Sequence, residues 1–324
     1  MSDTGLMSAG AVERGERTVR GGLVRTLFGI RPDEACFERR GFPESPARPA
    51  LEAAGITFVE GYNLALTAPA GTIDTALATR PIHLRGFFAE GAAMGAAIAG
   101  LVMPWKPRLP ALMERLGGRY THLLHVGVGW AIARVPLTRR RFLQALDPLL
   151  GWLTVDGRGF HDGYFHAERV AAGWRAVSGP AAAVYDQGVG RSLWFSCGAE
   201  PQRIAAAIAA LPAERGGDLW AGVGLAATYA GGISLNALDD LAPGAGRRWL
   251  RQGAAFAITA HARAGTPPPQ SIAAAERITG LAWPLIVSLV AEAEQTARAA
   301  DRPTIEQYRL WRSLIAGLIE GRSA

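Results

Sequence analysis

Small and apolar residues gather along this chain in short runs, each opened by a glycine. The runs are EGYNLAL at Gly61, EGAAMGAAI at Gly91, VGVGWAIAR at Gly127, DGYFHAER at Gly163, QGVGRSLWF at Gly188, AGVGLAATY at Gly222 and QGAAFAITA at Gly253. Successive glycines stand 30, 36, 36, 25, 34 and 31 residues apart. Unequal steps of this size suit stacked helix pairs joined by loops of different lengths. Between the runs, apolar positions recur at helical spacing: Ile204, Ile208 and Leu211; Leu109, Leu112, Met113 and Leu116; Phe142, Leu146 and Leu149. Pro212, Gly216-Gly217, Pro243 and Gly244 punctuate the joins. The pattern predicts an all-α protein whose helix-pair repeats stack as an α-solenoid or α/α superhelix. Its centre is expected to be irregular. The step from Gly163 to Gly188 holds WRAVSGP in place of an amphipathic helix, and TVDGRGF just before it sets an Asp-Gly pair between apolar residues, a hairpin signal.

A glycine inside a helix costs about 1 kcal/mol relative to alanine, so its recurrence needs compensation. Close approach of two helix backbones supplies it, because nothing projects at that point. For any single glycine, starting or ending a helix is an equally good reading; the set favours close packing. The expected organisation is a disordered tail over residues 1–22, a helical repeat domain over 23–265 and a C-terminal helical cap over 266–324.

Composition narrows the classes. Of 324 residues, 49% are hydrophobic and 19% charged, which describes a globular chain with a well-buried interior. The net charge of +6 rests on arginine, Lys106 being the sole lysine. The arginine clusters, Arg39-Arg40, Arg139-Arg140-Arg141 and Arg247-Arg248, are scattered and lack interleaved aromatics, so nucleic acid is not an expected partner. Cys36 and Cys197 are isolated thiols, compatible with a reducing cytoplasm, and the N-terminus lacks the apolar core of a signal peptide. A cytoplasmic location, or a peripheral one at the inner membrane, is therefore expected. Leu219 to Leu238 is uncharged and long enough to span a bilayer, but it contains Gly222, Gly224, Gly231, Gly232, Thr228, Ser234 and Asn236. It reads as a buried helix followed by a turn.

Candidate chemistry sits mostly beside the glycines. The residue before the repeat glycine is Glu60, Glu90, Asp162, Gln187 or Gln252 in five of seven cases, either a polar row along a groove or a set of bonds to helix ends. The densest polar cluster is His161, Asp162, Tyr164 and His166, followed by Tyr185, Asp186, Gln187 and Arg191. Asp162 and His166, four apart, share a helix face, a spacing that serves an acid–base pair. In a catalytic reading, Asp162 or His166 is the acid–base group and Arg191 the charge stabiliser. Glu60, Asn63, Glu90, His161, Tyr164, Asp186 and Trp194 are the expected substrate-lining residues. Asp186 and Arg191 also read as a salt bridge across one turn, and His122 and His125 as core histidines. Trp130, Trp194 and Trp220 are core side chains or the wall of an apolar channel. No HExxH or paired CxxC points to a metal, no Walker lysine or third glycine points to a nucleotide, and no GxSxG marks a serine nucleophile, so no cofactor can be named.

The same strings carry a family resemblance. RTLFGI, EGYNLAL, RGFFAEGAAMG, HVGVGWAIAR, LDPLLGWLTVDGRGFHDGYF, YDQGVGRSLWF, DLWAGVGLAATYAGG and RQGAAFA, within roughly residues 23–265, resemble the UnbL-like accessory proteins of enediyne polyketide biosynthesis, a family of unknown function. The resemblance implies a role in converting a long polyene chain towards an enediyne or polyyne core. It also implies a polyketide synthase and membrane-embedded pathway proteins as companions. It brings no catalytic residues with it. The expected ligand is a hydrophobic small molecule or polyketide intermediate; the alternative is a non-catalytic scaffold that docks partner proteins. Whether the chain is an enzyme stays open at this level.

Overall fold

The computed structural model describes residues 24–105, 108–144, 146–231, 236–265 and 267–323. The expected tail at 1–22 lies outside them. Among the described residues there is no strand. Seven long helices each carry one glycine run: α1 (Arg48–Ala65), α2 (Arg85–Val102), α3 (Arg108–Arg134), α4 (Leu153–Phe165), α5 (Ala182–Ser196), α6 (Gly216–Ala230) and α7 (Gly244–Arg263). Each packs against the next in sequence, and α8 (Pro269–Thr279), α9 (Trp283–Ala299) and α10 (Thr304–Ser323) pack on α7. The array curls, so that Gly86 of α2 meets the Tyr229 hydroxyl of α6 across the interior. The predicted all-α repeat architecture is the one observed.

A pair of glycines sets the spacing between neighbours. At about 100° per residue, helix positions two apart lie on nearly opposite flanks. In the GxG of α3, a Cβ on Gly127 would collide with the Glu90 carbonyl of the preceding helix, and one on Gly129 with the Thr154 carbonyl of the following helix. The same rule holds for Gly157 and Gly159, which meet Val126 and Tyr185; for Gly188 and Gly190, which meet Asp156 and Leu219; and for Gly222 and Gly224, which meet Gln187 and Leu250. Most of these contacts are mutual. Gly61 rests on Phe88 while Gly91 rests on Phe58, and Gly253 returns the contact of Gly224 by resting on Ala221. Backbones this close exchange Cα–H···O contacts worth about 0.5–1 kcal/mol each, which offset the helical cost of glycine.

This rule corrects two expectations about the centre. TVDGRGF is not a hairpin but lies inside α4, because its glycines serve close approach and not a left-handed turn. The left-handed glycines fall in the connector after it, Gly173 at φ 88° and Gly179 at φ 65°. The repeat glycine of α4 is accordingly Gly157 and not Gly163, which faces the Ser192 side chain. With Gly157 in register the steps become 30, 36, 30, 31, 34 and 31, and the short step vanishes. The irregularity is confined to the connector between α4 and α5, which holds only the short helix Ala167–Ala171 and a single 3₁₀ turn at Gly179–Ala181.

The connecting helices follow their apolar stripes in part. Ile204 and Ile208 are buried on the helix Pro201–Ala209, as their spacing predicts. The stripe Phe142, Leu146 and Leu149 is buried too, but its helix stops at Leu143. Pro148 cannot continue a helix, and the Asp147 carboxylate accepts the Leu149 and Leu150 N–H groups at 2.9 and 2.8 Å to start the next turn. Helix α3 bends at Tyr120, φ −124° and ψ 24°, which separates its connecting half from the glycine half. Helix α6 ends at Ala230 with Gly231 at φ 66°. Among the described residues no single helix is long and apolar enough to cross a membrane; the pair α8 and α9 passes that test only together, across a bend of 72°.

Candidate functional site

From α2 to α7, the position before the repeat glycine lies beside the flank that touches a neighbour and faces the interior. On α2, α4, α5 and α7 it is Glu90, Asp156, Gln187 and Gln252, all buried. On α3 and α6 it is Val126 and Ala221. Four polar groups are thus held in an apolar interior, where each needs a partner. Arg191, one turn beyond Gln187 on the same face of α5, pairs with two of them, Asp156 and Glu90.

Its guanidinium lies between two carboxyl groups. Nη1 is paired with Asp156 Oδ1, whose other oxygen accepts Gln187 Nε2–H at 2.8 Å. Nη2 stands 3.6 Å from Glu90 Oε2. Glu90 Oε1 accepts the indole N–H of Trp130 at 3.0 Å, and the Phe160 ring lies 5.0 Å from the guanidinium carbon. Burial pushes the Glu90 carboxyl up to about 7, against the lowering pull of Arg191 and of the Trp130 hydrogen bond. Burial alone lowers the Arg191 pKa, but the Asp156 and Glu90 carboxylates outweigh it and raise the group. Arg191 is a fixed cation beside a carboxyl poised to exchange its proton near neutrality.

Two apolar pockets meet at this arginine. The first has a free volume of about 60 Å³ and is walled by Phe58, Phe87, Trp130, Phe160, Tyr164 and Phe195, with Glu90 and Arg191 at its polar end. The second, of about 50 Å³, lies between Leu123, Leu225, Tyr229, Phe256 and Trp311, with Asp156 and Arg191 on its side of the partition. Burial raises the pKa of both Tyr164 and Tyr229, so both keep their protons.

The sequence-predicted residues divide between this centre and the periphery. Glu90, Arg191 and Tyr164 line the first pocket. His161 packs behind its wall, its ring 5.7 Å from Trp130 and 5.0 Å from Phe165. Asp162 accepts a hydrogen bond from the Tyr185 hydroxyl at 3.0 Å and bonds to His161 Nδ1 at 3.0 Å. His166 is exposed at the C-terminal cap of α4, φ −134°, and bonds to Asp162 only through its backbone N–H to the Asp162 carbonyl, while the Asp162 carboxylate is buried. Glu60 is half-exposed and pairs with Arg80 at 3.0 Å. Asn63 fastens the N-terminal segment through Ile30 N–H and C=O, at 2.9 and 2.7 Å. Trp194 is fully buried and donates to the Gly231 carbonyl at 2.9 Å. Asp186 binds Arg215 and Arg175, each at 2.7 Å, in place of the expected Arg191. Five residues on a helix are about 140° apart, too far round to face each other.

Asp156, Phe160 and Tyr229, and the wall residues Phe58, Phe87, Phe195, Phe256 and Trp311, are site residues that the sequence did not single out. The signal for Asp156 was present, since it precedes GRG as Gln187 precedes GVG. Among the described residues no three His, Cys, Asp or Glu side chains gather as a metal site, and His122 and His125 lie on α3, with His122 lining the second pocket. Residues 19–319 match the model of a family described as a protein of unknown function, DUF1702. No curated protein and no solved structure matches the chain.

Proposed function

The chain belongs to the DUF1702 family of unknown function, and from there we propose that it binds a long, narrow, unsaturated hydrocarbon chain in the pocket of α1–α5. The observation that carries this reading is the wall of seven aromatic side chains, Phe165 among them, closing on a buried Glu90–Arg191 pair. Aromatic faces shield a conjugated chain from water and stack on it, and a few convergent polar groups fix its orientation. On the sequence resemblance given above, the chain is a polyene-derived intermediate of enediyne-type polyketide maturation, and the protein holds or processes it as an accessory to the synthase. Deleting the gene in its host and following polyketide intermediates by mass spectrometry tests the pathway. An accumulated polyene that disappears on complementation supports it, and an unchanged metabolite profile removes it. Complementation by Arg191→Met or Phe160→Ala, with thermal melts near wild type, would remove the pocket from the reading.

A second surface favours contact with a membrane as the route by which such a chain arrives. Trp105 is 68% exposed and Leu137 is 99% exposed, and Arg141 bonds to the Gly100 carbonyl at 3.4 Å, joining the two segments. Arg140 and Arg141 are exposed beside them. Exposed apolar anchors next to arginines suit an anionic lipid surface. Sedimentation with phosphatidylglycerol vesicles, lost in the Trp105→Ala/Leu137→Ala double variant, is the expected result. Equal sedimentation of both proteins, or none with wild type, overturns it.

A further inference from the structure

The space between Glu90 and Arg191 leaves polar atoms without partners. Glu90 Oε2 and Arg191 Nη2 stand 3.6 Å apart, beyond hydrogen-bond reach, and Arg191 Nε has no hydrogen-bond partner among the described residues. Both residues are more than nine-tenths buried, and both line the aromatic pocket. A buried guanidinium N–H left unbonded is unfavourable, so this end of the pocket favours an acceptor brought in by the occupant.

We propose that the polar end of the pocket is a seat for a carbonyl oxygen, so that the occupant is an uncharged conjugated chain carrying a ketone, ester or thioester. The oxygen is received between the Arg191 guanidinium and the Glu90 carboxyl, and the chain runs out between Phe58, Trp130, Phe160 and Tyr164. The inference rests on the chain-binding reading above and deepens it by naming the head group.

Charge selects that head group. The single positive charge of Arg191 is already matched by Asp156. At this buried end a ligand carboxylate would add a negative charge beside Asp156 and Glu90, whereas a neutral carbonyl adds none; the pocket's other lining cation, Arg134, is exposed. The groups facing Glu90 are Trp130 from α3, Asp156 from α4, Arg191 from α5 and Tyr229 from α6. With its pKa held at about 7, Glu90 has a proton to donate to the oxygen below neutrality. Above it, the ionised carboxylate faces the lone pairs of the same oxygen and repels them.

Three probes of equal chain length test the proposal on the full protein. They are methyl parinarate, an ester of a conjugated tetraene; parinaric acid, its free carboxylate; and the corresponding octadecatetraene hydrocarbon. Binding is read from the fluorescence each chromophore gains on leaving water. At pH 6.5 the ester is expected to bind about tenfold more tightly than either of the others, the effect of one hydrogen bond to a charged donor. Its affinity is expected to fall several-fold between pH 6 and pH 8.5. Glu90→Leu, which leaves the Arg191 N–H in place, is expected to remove the pH dependence of ester binding and to weaken its preference over the hydrocarbon, and Glu90→Gln, which keeps an N–H donor, to hold the full preference at every pH. Equal binding of ester and hydrocarbon, a preference for the free acid, or a pH dependence of ester binding that survives Glu90→Leu overturns the carbonyl seat while leaving chain binding intact. Failure of all three probes overturns both. Should Glu90→Leu not fold, the pH profile of Glu90→Gln decides alone.

Discussion

A carboxyl group lifted to about 7 in the native state, against 4.5 when unburied, ties folding to protonation at Glu90. The folded chain holds that proton more tightly than the unfolded one, so native stability falls as pH rises from about 4.5 to about 7. The loss is on the order of 3 kcal/mol when complete. Glu90→Gln is therefore expected to melt near wild type at pH 5 and several degrees higher at pH 8, measured by thermal denaturation across pH. Buried histidines slope the other way. Burial depresses His122 to about 3 and His261 to about 4, so they cost stability as pH falls below about 6.5. Between pH 4.5 and 6.5 the slopes oppose, and the Glu90 contribution is read from the difference between the two proteins. At Asp186, both Arg215 and Arg175 are bonded within the protein, and Arg215 is 1% exposed. Arg215→Met leaves the carboxylate short of a partner, with an expected loss of about 3 kcal/mol in chemical denaturation. These pairs could not be read along the chain. Asp156 and Arg191 are 35 residues apart, and only the superposition of α4 on α5 brings them together.

Between helices, the two-glycine code makes opposite predictions for glycines that look alike in sequence. Gly188 rests on the Asp156 carbonyl and the Phe160 N–H, so alanine there must push two helices apart, at an expected cost of about 3 kcal/mol. Gly118, inside the first half of α3, has nothing within 4 Å of where a Cβ would lie, and Gly118→Ala is expected to stabilise by about 0.5–1 kcal/mol. Denaturant unfolding of the two variants checks both signs. Here the sequence was largely legible: runs of small residues at intervals near thirty announced closely packed helices. The register of α4 was not, because Asp-Gly occurs twice in that one helix, at Asp156-Gly157 and Asp162-Gly163, and either can stand as the repeat pair. What separates them is which glycine touches a neighbouring carbonyl, a property of the packed array and not of local spacing.

Across the whole molecule, the C-terminal helices complete the interior rather than merely covering it. Trp311 walls the second pocket, and Arg312 reaches Gln252 at 3.3 Å and Asp218 at 2.8 Å. The family match likewise runs through α10 to residue 319. A chain ended before α8 would uncover Phe256 and leave Gln252 without its arginine. Strong binding of an apolar dye and loss of a cooperative melt are expected from it, while Gly118→Ala in the full chain should show neither. The sequence marked residues after Gly265 as a cap; their entry into the interior was hidden because Trp311 and Arg312 follow none of the glycine spacing.

Because one guanidinium forms the wall of both chambers, occupancy of either one changes the position that suits the other. An oxygen that draws Arg191 towards Glu90 loosens its grip on Asp156, and a small inert guest such as xenon beside Trp311 then meets a differently shaped neighbour. Linkage requires the influence to be equal in both directions. Xenon pressure should shift the apparent affinity for an oxygenated chain by the same factor by which that chain shifts xenon uptake, and equal factors of one would mean that the partition is rigid.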